Sequence, residues 1–401
     1  RSPLLVWISR ERHVPYVKLQ HAITLQRERL RVASLTRDLE CLPADDARRA
    51  SFVCADRLSR AWAPSWPTTS VSFSNLDFSE TGCLYFGLPS PAIVRGGPSN
   101  SSLVGSRIRG DDRIRLDARG DVFFTHNRLV NKDTARARLH DALLLSLSRF
   151  LHEAGIEHSL EVATLFLGCA RASHAASAGT IARLVPDMVI RGLPGTPTPQ
   201  ANQLFEVKTL AFCPSRYPAV AVARNNGRPN PVDRRAAAIH CEYVAHAKVA
   251  DERYADVPPG ASTDPFRQRL ADLGTVRGVI FGAFSEASHV LHSLVHRCGE
   301  QIGINTGLAE GARSIPEASA AQIRRIYKTL SIVAYRERAR VILDGLQYVG
   351  SGSAFTQREK TMHTRAQSFD ERRRAYQTAT GPFPSPSGRS WRSSGCPTAV
   401  S

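Results

Sequence analysis

The strongest constraint on the fold is a change of apolar period after residue 155. Leu139, Leu143, Leu147, Phe150 and Leu151 recur at three- and four-residue steps and Gly155 follows, so residues 136–154 predict an amphipathic helix with a glycine stop. Residues 160–166, 184–191 and 203–210 are short apolar runs that read as strands. Helical spacing returns over 233–253. Val276-Arg277-Gly278-Val279-Ile280-Phe281-Gly282 then has the pattern of a buried strand. Ser285 can cap a helix running to Cys298. Pro316 suits the first turn of a last helix with Ile323, Ile326, Leu330, Val333 and Ile342 on its apolar face. Helix, strand, strand, strand, helix, strand, helix is an α/β order, with a mixed sheet flanked by helices.

The remaining chain divides by composition. Residues 1–93 predict an N-terminal helical and aromatic, turn-rich segment. Its helical part interleaves Arg with Leu19, Ile23, Leu25, Leu30 and Leu35. Its aromatic part holds Trp62, Trp66, Phe73, Leu76, Phe78 and Tyr85 between Pro64, Pro67, Pro89 and Pro91, a pattern of packing. Residues 94–133, rich in Gly, Ser, Asp and Arg, read as a linker or long loop. Residues 134–350 carry the main domain. Residues 351–401, with several Arg and then Gly381-Pro382-Phe383-Pro384-Ser385-Pro386-Ser387-Gly388, read as a basic disordered tail.

Composition narrows the function classes. The chain has 401 residues, 53 Lys and Arg against 36 Asp and Glu, and a formal net charge of +17. That excess favours a polyanionic partner. Because 47 of the basic residues are Arg and six are Lys, drift in the coding sequence explains part of it. A hydrophobic content of 42% excludes wholesale disorder. No run of about 18 apolar residues exists, so no membrane-spanning helix is expected. The apolar stretch at residues 3–8 is too short for a signal-peptide core. Eight scattered Cys without a C-x-x-C pair exclude a disulfide framework and a zinc ribbon, and fit an intracellular, reducing setting. With Arg1 first and only Met188 and Met362 present, the sequence is expected to be a piece of a longer reading frame.

One stretch carries chemistry. Pro186-Asp187-Met188-Val189-Ile190 is followed by a loop with Gly192, Pro194, Gly195, Pro197 and Pro199, then by Phe205-Glu206-Val207-Lys208. In a strand, Glu206 and Lys208 share a face. If the hairpin is symmetric about its loop, paired positions sum to 393, which sets Asp187 opposite Glu206. Facing carboxylates repel unless a divalent cation lies between them. Hard oxygen ligands select Mg²⁺ or Mn²⁺. A Lys beside them can orient or deprotonate a water that attacks a phosphate. The plain alternative is a hairpin with solvated charges, since Glu-x-Lys alone is common. The scarcity of Lys and the two adjacent apolar strands favour the chemical reading.

These residues, in this element order, resemble the PD-(D/E)xK nuclease superfamily, which has a restriction-endonuclease-like core. The resemblance implies that Asp187 and Glu206 hold the metal and that Lys208 supports the water. It also implies a Glu on the first helix as a further ligand, for which Glu153 is the candidate and Glu157 and Glu161 are rivals. A narrower resemblance rests on Cys213-Pro214-Ser215-Arg216-Tyr217-Pro218, Val232-Asp233-Arg234-Arg235-Ala236, Val279-Ile280-Phe281-Gly282-Ala283-Phe284 and the 62–91 segment. These look like the region downstream of reverse transcriptase in protist retroelement polyproteins. That resemblance implies DNA as substrate, a reverse transcriptase of the same polyprotein as partner, and the nucleus as location. The catalytic Tyr-x-Asp-Asp of a reverse transcriptase and the Cys/His zinc motif of some such elements are missing.

Weaker signals surround the hairpin. Arg216, Arg224, Arg228, Arg234 and Arg235 follow it and can hold a DNA backbone, or can be a solvated basic loop. His289, His292 and His296 have helical spacing near Cys298, which fits a packed His stripe better than a metal site. His140-Asp141, on the first helix, is a candidate catalytic helper or plain helix surface. Residues 303–311 contain glycines without a phosphate-loop Lys. The rival to a nuclease is an inactive Arg-rich module of the same fold that binds nucleic acid.

Overall fold

A computed structural model describes residues 16–43, 45–64, 73–97, 100–108, 111–125, 135–166, 168–169, 184–193, 202–217, 230–254, 264–307, 311–346 and 349. The elements, in chain order, are α1 (Tyr16–Glu40), α2 (Ala47–Cys54), α3 (Arg57–Arg60), α4 (Asn75–Phe86) and α5 (Pro91–Val94). A hairpin of β1 (Arg107–Ile108) and β2 (Asp111–Arg115) and the short α6 (Val122–Thr125) follow. Then come α7 (Ala135–Glu153), β3 (His158–Leu160), β4 (Met188–Ile190) and β5 (Gln203–Thr209). The chain continues through α8 (Pro231–Tyr254), α9 (Pro265–Leu273), β6 (Val276–Phe281), α10 (His289–Thr306) and α11 (Ile315–Gly345).

The protein is mixed α/β. Strands β3-β4-β5-β6 form a four-stranded sheet, antiparallel except for the parallel pair β5–β6. Alternation along the strands divides two cores. Met188, Ile190, Phe205, Val207, Val279 and Phe281 face one way and pack with α7, α10 and α11. Val189, Leu204, Val276 and Ile280 face the other way and pack with α8 and α9. A parallel strand is stable only when both faces are covered, and these helices cover them. On α7, Leu139, Leu143, Leu147 and Leu151 are buried, each contributing roughly 2 kcal/mol of apolar transfer. Gly278 lets α8 approach β6, because a Cβ there would lie 2.7 Å from Ala236 Cα.

Several expectations change. The first strand is only His158–Leu160; Glu161 then turns the chain with φ +46°, and Ala163–Phe166 is a 3₁₀ turn. Ser288, rather than Ser285, caps α10, while Ser285 is fully buried with φ +56°. Pro316 does lie in the first turn of α11, behind the Ser314 cap.

The domain boundaries at 93 and 133 do not hold. Leu58, Trp62, Leu84, Ile93, Ile108, Ile114, Leu116, Phe123 and Phe124 share one core with α7, the sheet and α11. Residues 94–133 are sparse in apolar side chains, yet Ile108, Ile114, Leu116, Phe123 and Phe124 are buried, while Val94 and Val104 stay exposed. The aromatic segment is largely the helix α4, and Trp62 meets Phe73, Phe78, Tyr85 and Tyr335 at ring-centroid distances of 5.6–6.0 Å. Residues 1–349 form one compact unit. The tail, residues 350–401, lies outside the described residues. Among the described residues no helix is long and apolar enough to cross a membrane.

Candidate active site

The β4–β5 pairs are Met188↔Phe205, Val189↔Leu204 and Ile190↔Gln203, each summing to 393. One step further along that register stand Asp187 and Glu206, as the symmetric hairpin requires. Val207 N–H donates to Asp187 Oδ2 at 2.7 Å, and Asp187 N–H donates to Glu206 Oε2 at 3.4 Å. Lys208 forms an ion pair with Glu206 Oε1. The carboxylates are largely covered, Asp187 having 14% of its side chain exposed, while Lys208 has 41%.

Two helices bring groups that strand spacing does not reveal. From α7, His140 Nε2 lies 3.1 Å from Asp187 Oδ2 and its Nδ1 lies 3.3 Å from Asp141 Oδ1. From α8, Tyr243 O–H donates to Glu206 Oε2 at 2.6 Å. The one legible signal for His140 was the His-Asp pair on the first, amphipathic helix. Tyr243 carried no signal, because a Tyr on an amphipathic helix reads as core.

The charges explain the protonation states. Burial opposes a charge on His140, but hydrogen bonds to Asp141 and Asp187 outweigh it and push its pKa up to about 10. The ring is therefore an imidazolium donating from both nitrogens. Burial acts to raise the Asp187 pKa, yet the His140 bond and charge, Lys208 and the Val207 N–H together hold it below the usual carboxylate range. Glu206 goes the other way, raised by burial and by the Asp187 charge, against Lys208 and Tyr243. Tyr243 is raised by burial and by the Glu206 carboxylate. Two acids facing each other thus have their proton affinities driven apart, a pattern concentrated at functional sites.

No protein-family model, curated protein or solved structure matches the chain. The site must be judged on its geometry.

Glu153 does not join it. It is thirteen residues beyond His140 on α7, about 20 Å along the axis. Its carboxylate is held instead by Arg149 Nε at 3.0 Å and by Arg325. Glu157 pairs with Arg191 at 3.0 Å on the surface. Glu161 is placed closer, its N–H donating to Asp187 O at 3.1 Å. Of the basic residues, Arg234 donates to Arg216 O at 2.9 Å and both are exposed. Arg235 is committed to Glu242, with one of its two contacts at 2.9 Å. Arg224 and Arg228 lie outside the described residues. The His stripe is not a ligand pair. His292 bridges Tyr327 O–H at 2.7 Å and Asp56 at 3.0 Å, and His296 lies beside Arg57. Cys298 is buried, its thiol pKa pushed up to about 12.

The donor set suits a hard divalent cation. Asp187 Oδ1 accepts no hydrogen bond among the described residues, and Glu206 Oε1 has Lys208 alone. Among the described residues no three His, Cys, Asp or Glu side chains are grouped to hold a metal. Two carboxylates are sufficient for Mg²⁺, which commonly keeps waters and takes substrate phosphate for its other positions.

Proposed function

We propose that the chain is a Mg²⁺- or Mn²⁺-dependent endonuclease that hydrolyses DNA phosphodiester bonds, with a core of the PD-(D/E)xK kind. The observation that carries this reading is Asp187 facing Glu206 across β4–β5, with Lys208 on the same face as Glu206.

Asp187 and Glu206 would hold the cation. When bound, it supplies positive charge to the phosphate and lowers the pKa of a water. His140 fixes Asp187 through Oδ2 and leaves Oδ1 for the cation. Tyr243 fixes Glu206 through Oε2 and leaves Oε1 toward Lys208. The Lys208 ammonium is the most exposed of these charges. Released from Glu206, it can orient the attacking water and offset charge on the phosphate. Arg216 and Arg234 offer a grip on the strand, which makes binding fall with salt. In the same reading the chain belongs to a retroelement polyprotein, works beside its reverse transcriptase, and acts in the nucleus.

Nicking of supercoiled plasmid by the full chain, with Mg²⁺ or Mn²⁺ and with chelator, tests the reading. Metal-dependent nicking should drop at least about 100-fold in Asp187→Asn and Lys208→Ala. Unchanged nicking in both variants would overturn the assignment of the site. Salt-sensitive DNA binding with no cleavage in either metal would support the rival, an inactive binding module.

A further inference from the structure

A concavity with a mainly apolar lining and charged side chains around it lies away from the acidic centre. It is a cavity of about 660 Å³ between α3 and α11, with Arg57, Arg60, Arg324 and Lys328 on its rim and walls. The neighbouring Arg325 reaches Glu153, at the end of α7 opposite His140, so the two sites are separate.

The cavity presents concentrated positive charge. Its one acid, Asp56, is engaged on the protein side. Its Oδ2 accepts from Ala287 N–H at 2.7 Å and lies 3.0 Å from His292 Nε2, while its Oδ1 accepts from Ser59 N–H at 2.8 Å. Arg60 donates to Ala55 O at 3.2 Å and Arg57 lies 3.4 Å from His296 Nε2, so neither of these contacts neutralises its charge with a carboxylate. Arg57 is also braced, its guanidinium lying 4.8 Å over the buried Tyr327 ring. A planar cation fixed this way offers its outer face for stacking. Ala61 and Pro64 add an apolar wall.

Like charges gathered around a concavity with one apolar wall match an anion that carries a flat or apolar part. The volume lies within the range of small-ligand pockets. We infer that this cavity binds a phosphorylated nucleotide unit, with the phosphate on the Arg60 and Arg324 side and the base against Arg57 and Pro64. The unit can be a free nucleotide or one link of a single strand; the ligand chemistry is the same. The inference does not need the acidic centre to be a nuclease.

Fluorescence anisotropy of labelled dT12, read with the full chain in chelator, tests it, with dTMP and thymidine as competitors. Arg60→Gln/Arg324→Gln alters two exposed side chains and should keep the wild-type melting temperature. It should weaken dT12 roughly tenfold or more and lower the log–log salt slope by about 0.7, one single-strand phosphate contact's worth. Arg57→Lys, which keeps the charge but loses the plane, should weaken dT12 without changing competition by inorganic phosphate. Competition by dTMP but not thymidine identifies a free nucleotide as sufficient; strand binding without dTMP competition identifies a link in a strand. A double variant that binds dT12 like wild type, a wild type that binds neither dT12 nor dTMP, or thymidine competing as well as dTMP would overturn the inference.

Discussion

Glu206 and Glu286 are both buried glutamates, raised in pKa by burial, that accept a hydrogen bond from a tyrosine at 2.6 Å, but their direct partners and access to solvent differ. Glu206 faces a second carboxylate and pairs with a cation that reaches solvent. Glu286 is 0% exposed and its donors are neutral: Tyr217 O–H and, at 2.9 Å, Phe284 N–H. The nearby Arg338 does not bridge to it but donates to the carbonyls of Leu210 and Gly282 at 2.8 and 2.6 Å. Glu286 therefore pins the loop between β6 and α10. The contrast shows that a buried carboxylate is informative when a like charge opposes it and solvent can reach it. One that is enclosed and satisfied by neutral donors is holding structure.

The comparison can be broken at several points. The largest effect is expected for Glu286→Ala, which strands Tyr217 and the Phe284 amide in the core. Chemical denaturation should show a loss of about 3–4 kcal/mol. Next is pH. Burial pushes the Glu286 pKa up to about 7, from the ordinary carboxylate value of 4.5. The folded state then binds more protons than the unfolded state between those values. This contribution is complete below about pH 4.5 and is lost as pH rises through 7, about 3 kcal/mol in all. Glu286→Gln should remove that slope whatever its absolute stability; a slope that persists in it would assign the titration elsewhere.

Glu206→Gln should behave in the opposite way. It removes one of two repelling charges and keeps the Tyr243 contact, so stability should stay within about 1 kcal/mol. Metal-dependent nicking should still fall roughly 100-fold. Loss of folding in this variant would make Glu206 a structural residue like Glu286. The smallest effect is expected for Glu153→Ala. Its pairs with Arg149 and Arg325 are partly exposed, so stability should shift by less than about 0.5 kcal/mol and nicking should not change. A large loss of activity there would restore Glu153 to the site.

The hairpin register was legible because side chains alternate with a period of two and the loop lies midway between its strands. Asp187 opposite Glu206 follows from counting alone. The helix contributions were not legible for a different reason. His140 reaches Asp187 over 47 positions and Tyr243 reaches Glu206 over 37, and which helix residue meets a strand depends on packing that periodicity does not encode. Glu153 was misplaced because a position on the right helix says nothing about which of its ends approaches the sheet. The 94–133 segment misled through its low apolar content. Ile108, Ile114, Leu116, Phe123 and Phe124 are few, but all five are buried.

The central claim is that Asp187 and Glu206 together hold one divalent cation. Calorimetric titration of the metal-free full chain with Mn²⁺ measures it without reference to activity. The account predicts one site in the wild type, lost in both Asp187→Asn and Glu206→Gln and retained in Glu153→Ala. Binding that survives both substitutions, or that disappears only with Glu153, would contradict it.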